Sequence, residues 1–287
     1  MIVAEETELA LFRQLEVLPE PTQHKLNELR TYLAKLDKTY VAYSGGVDST
    51  LVAAIAKEQL GEKAIAITGV SPALASELLK EARAQAEWLG IKHEECITSE
   101  IKDPNYSNNP KNRCFACKSE LHTKIRFLAK KTGSQTTVDG INKDDLGDYR
   151  PGIDASRAAG VRSPLADLNI TKLDIRNISK ALGFPWWDKP AQPCLASRFP
   201  YGEQITTNRL NQVEKAEAWI RKHGFSEVRV RMYGVTAQIE IPEHKIKELL
   251  LYIDRKELLK YFNSIGFSYI SLDLEGFISG KFNRKIL

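Results

Sequence analysis

A chain of 287 residues, 43% hydrophobic and 27% charged, has the make-up of a globular protein able to bury one large or two modest cores. Its formal charge of +4 suits an anionic small ligand as well as RNA and does not choose between them. No run of 18 apolar residues is present, which excludes a membrane-spanning helix, and the start MIVAEETELALFRQLEV lacks the basic flank and apolar centre of a secretory signal, so a cytoplasmic location is expected.

Residues 1–21 read as a tail. A polar helix pattern, TQHKLNELRTYLAKLD, then leads into the strand-like run TYVAYS. A helix pattern from Val47 to Leu60 follows, then the run KAIAITG, a helix from Pro72 to Leu89 and a short strand from Glu94 to Ile97. A polar loop over 103–113 precedes a helix from Ala116 to Lys131 and the run TTVDG. Strands alternating with helices predict right-handed βαβ units around a mostly parallel sheet, an α/β domain over residues 22–200. Residues 141–162, rich in Asp, Gly and Arg, read as a ligand-facing loop. A helix from Thr171 to Leu182 comes next. Pro185, Pro190, Pro193 and Pro200 then interrupt regular structure and place the junction near Pro200.

Beyond it the order changes to a smaller α+β domain over 201–287. A helix from Leu210 to His223 precedes the hairpin strands SEVRVRMYG and TAQIEIP. One long helix, EHKIKELLLYIDRKELLKYFNSIG, then leads to the last strand, SYISLDLEG.

The most particular motif is SGGVDS over 44–49, between a strand and a helix. Gly45 and Gly46 let the backbone turn tightly and approach a ligand without a Cβ in the way. Successive N–H groups backed by a helix N-terminus form an anion nest, and Ser44 and Ser49 add hydroxyl donors. The competing reading is a turn whose Gly and Asp only cap the helix. No lysine follows, so this is not the G-x-x-x-x-G-K-[ST] phosphate loop. SGGVDS resembles the pyrophosphate loop of the N-type ATP pyrophosphatases, which include GMP and NAD synthetases and tRNA-thiolating enzymes. That resemblance implies that Ser44, Gly45, Gly46 and Ser49 hold the ATP phosphates and that Asp48 serves Mg2+, a hard cation suited to carboxylate oxygen. It also implies nucleotide contacts at Gly69 and Ser71 after the second strand, and at Gly140 in the run DGINKDD.

Four cysteines in a chain this long do not make a disulfide framework. Cys96 reads as a buried strand residue, and His93 and His122 as ordinary side chains. Cys114 and Cys117 form a C-x-x-C, with Cys194 far downstream, a pattern of metal or redox chemistry. SGGVDSTLVA, RCFACK, GINKDDLGDYRPG, PCLASRFPYGEQIT and VRVRMYG together resemble the LarE sulfur transferases, from about Leu26 to Leu274. That family helps to build the nickel-pincer nucleotide cofactor of lactate racemase. The resemblance implies ATP-dependent adenylation of a carboxylate of a pyridinium biscarboxylic acid mononucleotide, then replacement of AMP by sulfur. It further implies a homo-oligomer, with sulfur-donor and lactate racemase maturation proteins as partners. One branch of the family sacrifices a single cysteine at the PCLASR position. Another holds a 4Fe-4S cluster on three cysteines, and Cys114, Cys117 and Cys194 match that pattern. Three thiolates leave one iron open for an extra sulfide. Zinc at these cysteines, or Cys194 as a sacrificial donor, are the alternatives.

Arg198, Arg229 and Arg231 are expected to receive the anionic substrate, 229 and 231 sharing one face of a strand. Arg150 and Arg157 sit where they could meet ATP or substrate. Trp186 and Trp187 read as packing. A tRNA thiolase, an amidating ligase and a zinc-stabilised nucleotide sensor are the rival functions. The modest charge and the lack of a recognisable RNA-binding appendage count against the first.

Overall fold

The computed structural model describes residues 12–133, 136–147, 151–278 and 281–285. In chain order the elements are α1 (Glu20–Ala34), β1 (Thr39–Ala42), α2 (Val47–Leu60), β2 (Ala64–Val70), α3 (Ser76–Leu89), β3 (Lys92–Ile97), α4 (Pro104–Ser107), α5 (Arg113–Thr132), β4 (Thr136–Val138), α6 (Pro151–Ala158), α7 (Pro164–Asp167), α8 (Lys172–Ala181), α9 (Thr207–Lys222), β5 (Arg229–Tyr233), β6 (Thr236–Glu240), α10 (Ile246–Tyr252), α11 (Arg255–Ser264) and β7 (Tyr269–Leu272). No helix among the described residues is long and apolar enough to cross a membrane.

Two compact units emerge. The first comprises the chain up to Val70, Ser76–Thr98 and Cys114–Gln192. Its four-stranded sheet has the order β3-β2-β1-β4 and is parallel throughout, with Thr39 in register with both Ala64 and Thr136. A parallel sheet buried on both faces needs continuous apolar strands, and TYVA and AIAI supply them. Alternate residues divide between two cores. Val41, Ala64 and Ala66 join α1, α2 and α8 in one, whereas Tyr40, Ala42, Ile65 and Ile67 meet Cys96, Ile125 and Ala129 in the other. Phe184 and Trp186 stack with centroids 5.7 Å apart and belong to the first core, so this Trp is packing. Because β1 leads outward to β2 on one side and pairs with β4 on the other, the C-terminal end of β1 is the sheet's switch point.

The second unit gathers Pro193–Leu287 with two excursions, Ser71–Ala75 and Ser99–Arg113. Hydrogen bonds explain the excursions: Leu195 N donates to Ala73 O at 2.8 Å, Gly202 N to Asn109 O at 2.9 Å and Ile205 N to Ser107 O at 2.7 Å. The second unit therefore takes up the chain at residue 193 and is discontinuous in sequence. Its sheet, β5-β6-β7, joins the antiparallel pair β5–β6 to a parallel strand β7.

Three local expectations change. The expected loop over 141–162 contains the helix α6. Pro151 begins it, Ile153, Ala155 and Ser156 are buried, and Gly160 at φ +72° follows its end. The long helix expected over 243–266 is broken at Ile253, which is extended. Asp254 Oδ1 accepts from Lys256 N at 2.7 Å and Glu257 N at 3.0 Å, starting α11 afresh. The polar loop over 103–113 carries the short helix α4, capped by Asp103.

Candidate active site

The SGGVDS segment leaves the C-terminal end of β1 and enters α2 at the switch point. Gly45 has φ +69°, and a Cβ there would lie 3.0 Å from the Cβ of Ala82, so only glycine suits both the turn and the close approach to α3. Ser44 N donates to Ser49 Oγ at 3.2 Å, and Ser49 Oγ donates to Gly46 O at 3.1 Å, which fixes the turn internally. Beneath it, buried Gln85 Oε1 accepts from Tyr43 Oη at 3.2 Å and Thr50 Oγ1 at 3.3 Å. The N-cap of α2 is Gly46, and no side chain caps the helix. Asp48 is therefore not a helix cap, and the first turn presents its N–H groups to an anion.

Asp48 instead faces a cation. Lys172 Nζ, at the start of α8, lies 2.7 and 2.6 Å from its two carboxylate oxygens, and Asn142 Nδ2 lies 3.4 Å from Oδ1. A second lysine, Lys189, donates to Gly45 O at 3.2 Å and pairs with Glu81 at 2.5 Å. The motif carries no lysine of its own, yet the fold delivers two from the region after α7. Thr171 places Lys172: its side chain accepts from Asp174 N while Asp174 accepts from Thr171 N, a reciprocal capping box. Sequence reasoning missed Lys172 and Lys189. The capping signal T-x-x-D was visible, but the direction in which the next lysine points was not.

Gly140 closes the other side. A Cβ on it would lie 2.6 Å from Ser49 N, so the loop after β4 rests directly on the first turn of α2. Gly69, next to last in β2, lies against Leu121, whose Cδ1 a Cβ would approach to 2.9 Å. Arg150 lies outside the described residues.

In the second unit Ser71 stands in the 71–75 excursion, its Oγ accepting from Ala73 N at 3.2 Å. Cys194, exposed, precedes a single 3-10 turn over Leu195–Arg198. Arg198 and Arg231, expected to clamp substrate, are both buried and engaged within the protein. Arg198 meets Glu217 bidentately at 2.7 and 3.0 Å and donates to Pro193 O at 2.9 Å. Arg231 donates to Glu240 at 3.0 Å and to Ser197 O at 2.6 Å. Together they hold the Cys194 turn. Glu217 also accepts from Arg221 and from Val230 N. Burial pushes its carboxyl up, but these cations, Arg198 foremost, hold it below the ordinary glutamate value. Arg229 differs. It forms no ion pair among the described residues and lies over Phe277, 4.2 Å from the ring centroid. Burial, then the proximity of Arg198 and Arg231, lowers its guanidinium to about 10. A buried cation without a carboxylate is suited to an incoming anion.

Cys114 and Cys117 occupy the first turn of α5 in the first unit, exposed and half-buried, while Cys194 belongs to the second. Three thiolates suit a soft metal or cluster by donor type. Among the described residues, however, no three His, Cys, Asp or Glu side chains are gathered as a metal-holding group.

A parallel sheet with an SGGVDS turn at its switch point and an uncapped helix behind it defines an ATP-using domain of the PP-loop class. The asparagine synthase family model matches residues 38–105, which hold the loop. Across nearly the whole chain, an uncharacterised protein of Synechocystis sp. is 53% identical over 262 residues, 91% of this chain and 98% of the relative. The pyridinium-3,5-bisthiocarboxylic acid mononucleotide synthase of Lactiplantibacillus plantarum is 36% identical over 252 residues, covering 88% and 91% of the two chains. An uncharacterised protein of Methanocaldococcus jannaschii is 30% identical over 241 residues, covering 84% and 91%. The chain belongs to the LarE family.

Proposed function

We propose that this protein uses ATP to adenylate a carboxylate of pyridinium-3,5-biscarboxylic acid mononucleotide and then exchanges the activated oxygen for sulfur. What supports this is the 36% identity with a named bisthiocarboxylate synthase over 91% of that enzyme, joined to the phosphate-loop geometry. A carboxylate oxygen attacks the α-phosphorus of ATP, the bond to pyrophosphate breaks, and an acyl adenylate forms. A sulfur nucleophile then attacks the acyl carbon and AMP departs with its oxygen, leaving a thiocarboxylate. Ser44, Gly45, Gly46 and Ser49 bind the phosphates through backbone N–H and hydroxyl groups. Lys172 and Lys189 supply the charge that a lysine within the motif would otherwise bring.

The place beside Asp48 accepts a cation, since Lys172 Nζ already sits there, so Mg2+ fits it and frees Lys172 for the phosphates. Arg229 takes the substrate's anionic group. Cys114, Cys117 and Cys194 are the residues that would hold a 4Fe-4S cluster, which when bound supplies transferable sulfide.

Incubation with ATP, magnesium and the pyridinium dicarboxylate should release pyrophosphate and give an acyl adenylate. Formation of neither overturns the proposal. Anaerobic purification with iron, zinc and acid-labile sulfide analysis tests the cluster separately. Stoichiometric zinc with little iron removes it from the scheme.

A further inference from the structure

Helices α5 and α6 meet along one stripe. On α5 it is Cys114, Lys118, His122 and Arg126, spaced four residues apart and so on one side of the helix. On α6 a Cβ at Gly152 would lie 3.1 Å from Lys118 Cγ and 4.0 Å from Cys114 Cβ. One turn on, Ser156 Oγ lies 2.9 Å from His122 Nε2, and after the helix ends Ala159 O accepts from Arg126 Nη2 at 3.0 Å. The two helices therefore run in the same direction, with Gly152 seated against the turn that carries the cysteine pair. His122 and Ser156 are both buried, at 2% and 1% exposure.

A buried polar pair fixes register, because any slip along the stripe leaves both groups unsatisfied. The contact continues toward the nucleotide loop. Asp139, also buried, accepts at Oδ1 from Ser163 Oγ at 2.8 Å and from Ile141 N at 3.2 Å. Its Oδ2 has no well-formed partner, nor does His122 Nδ1. Ser156 and Asp139 are joined through the backbone of residues 161 and 162: Val161 N donates to Ser156 O at 3.0 Å, and Asp139 N donates to Arg162 O at 3.0 Å. With Nε2–H of His122 turned to Ser156 Oγ, its Nδ1 is a bare acceptor, a smaller loss than a stranded N–H. The residue after Asp139 is Gly140, which rests on Ser49.

We propose that His122 is a positioning residue: through Ser156 and Asp139 it registers the Cys114–Cys117 turn of α5 to the phosphate loop, so that nucleotide held by the loop also tightens that turn. The proposal rests on the ATP-binding reading above, and its test separates the two. Amide hydrogen exchange is followed by peptide mass spectrometry on the full chain, with and without ATP and magnesium. In the unaltered protein ATP should slow exchange over residues 43–50 and, at least threefold, over 113–122. His122→Phe should keep the protection at 43–50 and lose that at 113–122. His122→Gln, whose amide nitrogen can stand in for Nε2–H, should retain both. Ser156→Ala should behave as His122→Phe does, and it decides the matter if the larger change fails to fold. Protection of 43–50 alone in the unaltered chain, or undiminished protection of 113–122 in both His122→Phe and Ser156→Ala, overturns the coupling. If ATP protects neither segment of the unaltered chain, the nucleotide reading itself fails and takes the coupling with it.

Discussion

Lys172 and Asp48 form an ion pair, with oxygen-to-nitrogen distances of 2.7 and 2.6 Å. Partly exposed pairs of this kind contribute about 1 kcal/mol or less, so Lys172→Ala should leave the melting temperature close to that of the parent. Pyrophosphate release should nevertheless fall by ~10²-fold or more, the cost of deleting one charged donor from a developing phosphate charge. A fall of only about threefold would restrict Lys172 to neutralising Asp48. His122 gives a second measurement at this scale. Burial, assisted by Lys118 and Arg126, lowers its imidazole from 6.5 to about 4. Between those values the unfolded chain takes up a proton that the folded chain refuses, so stability declines as pH falls through that window. The decline attributable to His122 is about 2 kcal/mol between pH 7 and pH 5. His122→Phe should remove that part of the slope in urea titrations at the two pH values. An unchanged slope would mean that the folded imidazole titrates normally.

Among the elements, α8 shows how a short local signal acts at a distance. Thr171 and Asp174 cap one another, and Asp174 also accepts from Lys25 Nζ of α1 at 2.6 Å, so the start of α8 is held from two sides. Thr171→Ala should cost ~1 kcal/mol by loss of the cap, read as a lower urea midpoint. It should also slow pyrophosphate release although Lys172 is intact, because the cap sets the direction of the residue beside it. A variant that lost stability without losing rate would show that Lys172 finds its place independently. The break between α10 and α11 is the same effect in reverse. The apolar spacing of 243–266 continues a helix, but the Asp254 carboxylate satisfies the N–H groups of Lys256 and Glu257 and begins a new one.

Over the molecule as a whole, the Cys194 turn depends on a buried ion network drawn from α9, β5 and β6. Glu217 has no exposure and accepts from Arg198, Arg221 and Val230 N. Glu217→Gln keeps the shape and removes the charge, leaving Arg198 buried beside a neutral group. Breaking a buried pair from one side costs ~3–5 kcal/mol, which a denaturant midpoint resolves. A loss below about 1 kcal/mol would indicate that Arg198 turns to Glu240. The discontinuity of the second unit has a separate cause. Residues 71–75 and 99–113 are fastened to 193–205 by backbone hydrogen bonds that no spacing in the sequence announces.

Periodicity alone placed the first unit: the apolar runs before SGGVDS and GVS, and the helices between them, correspond to β1, α2, β2 and α3 within a few residues. The phosphate loop was legible because glycine, serine and aspartate at that spacing satisfy a local demand, close backbone approach to an anion. Long-range pairing was not legible. That Lys172 meets Asp48 across 124 residues, that Arg198 and Arg231 spend their charge on Glu217 and Glu240 while Arg229 does not, and that His122 finds Ser156, are outcomes of burial. A sequence carries its local backbone preferences in each short segment. Which charges face one another is decided only when the chain closes and water is excluded between them.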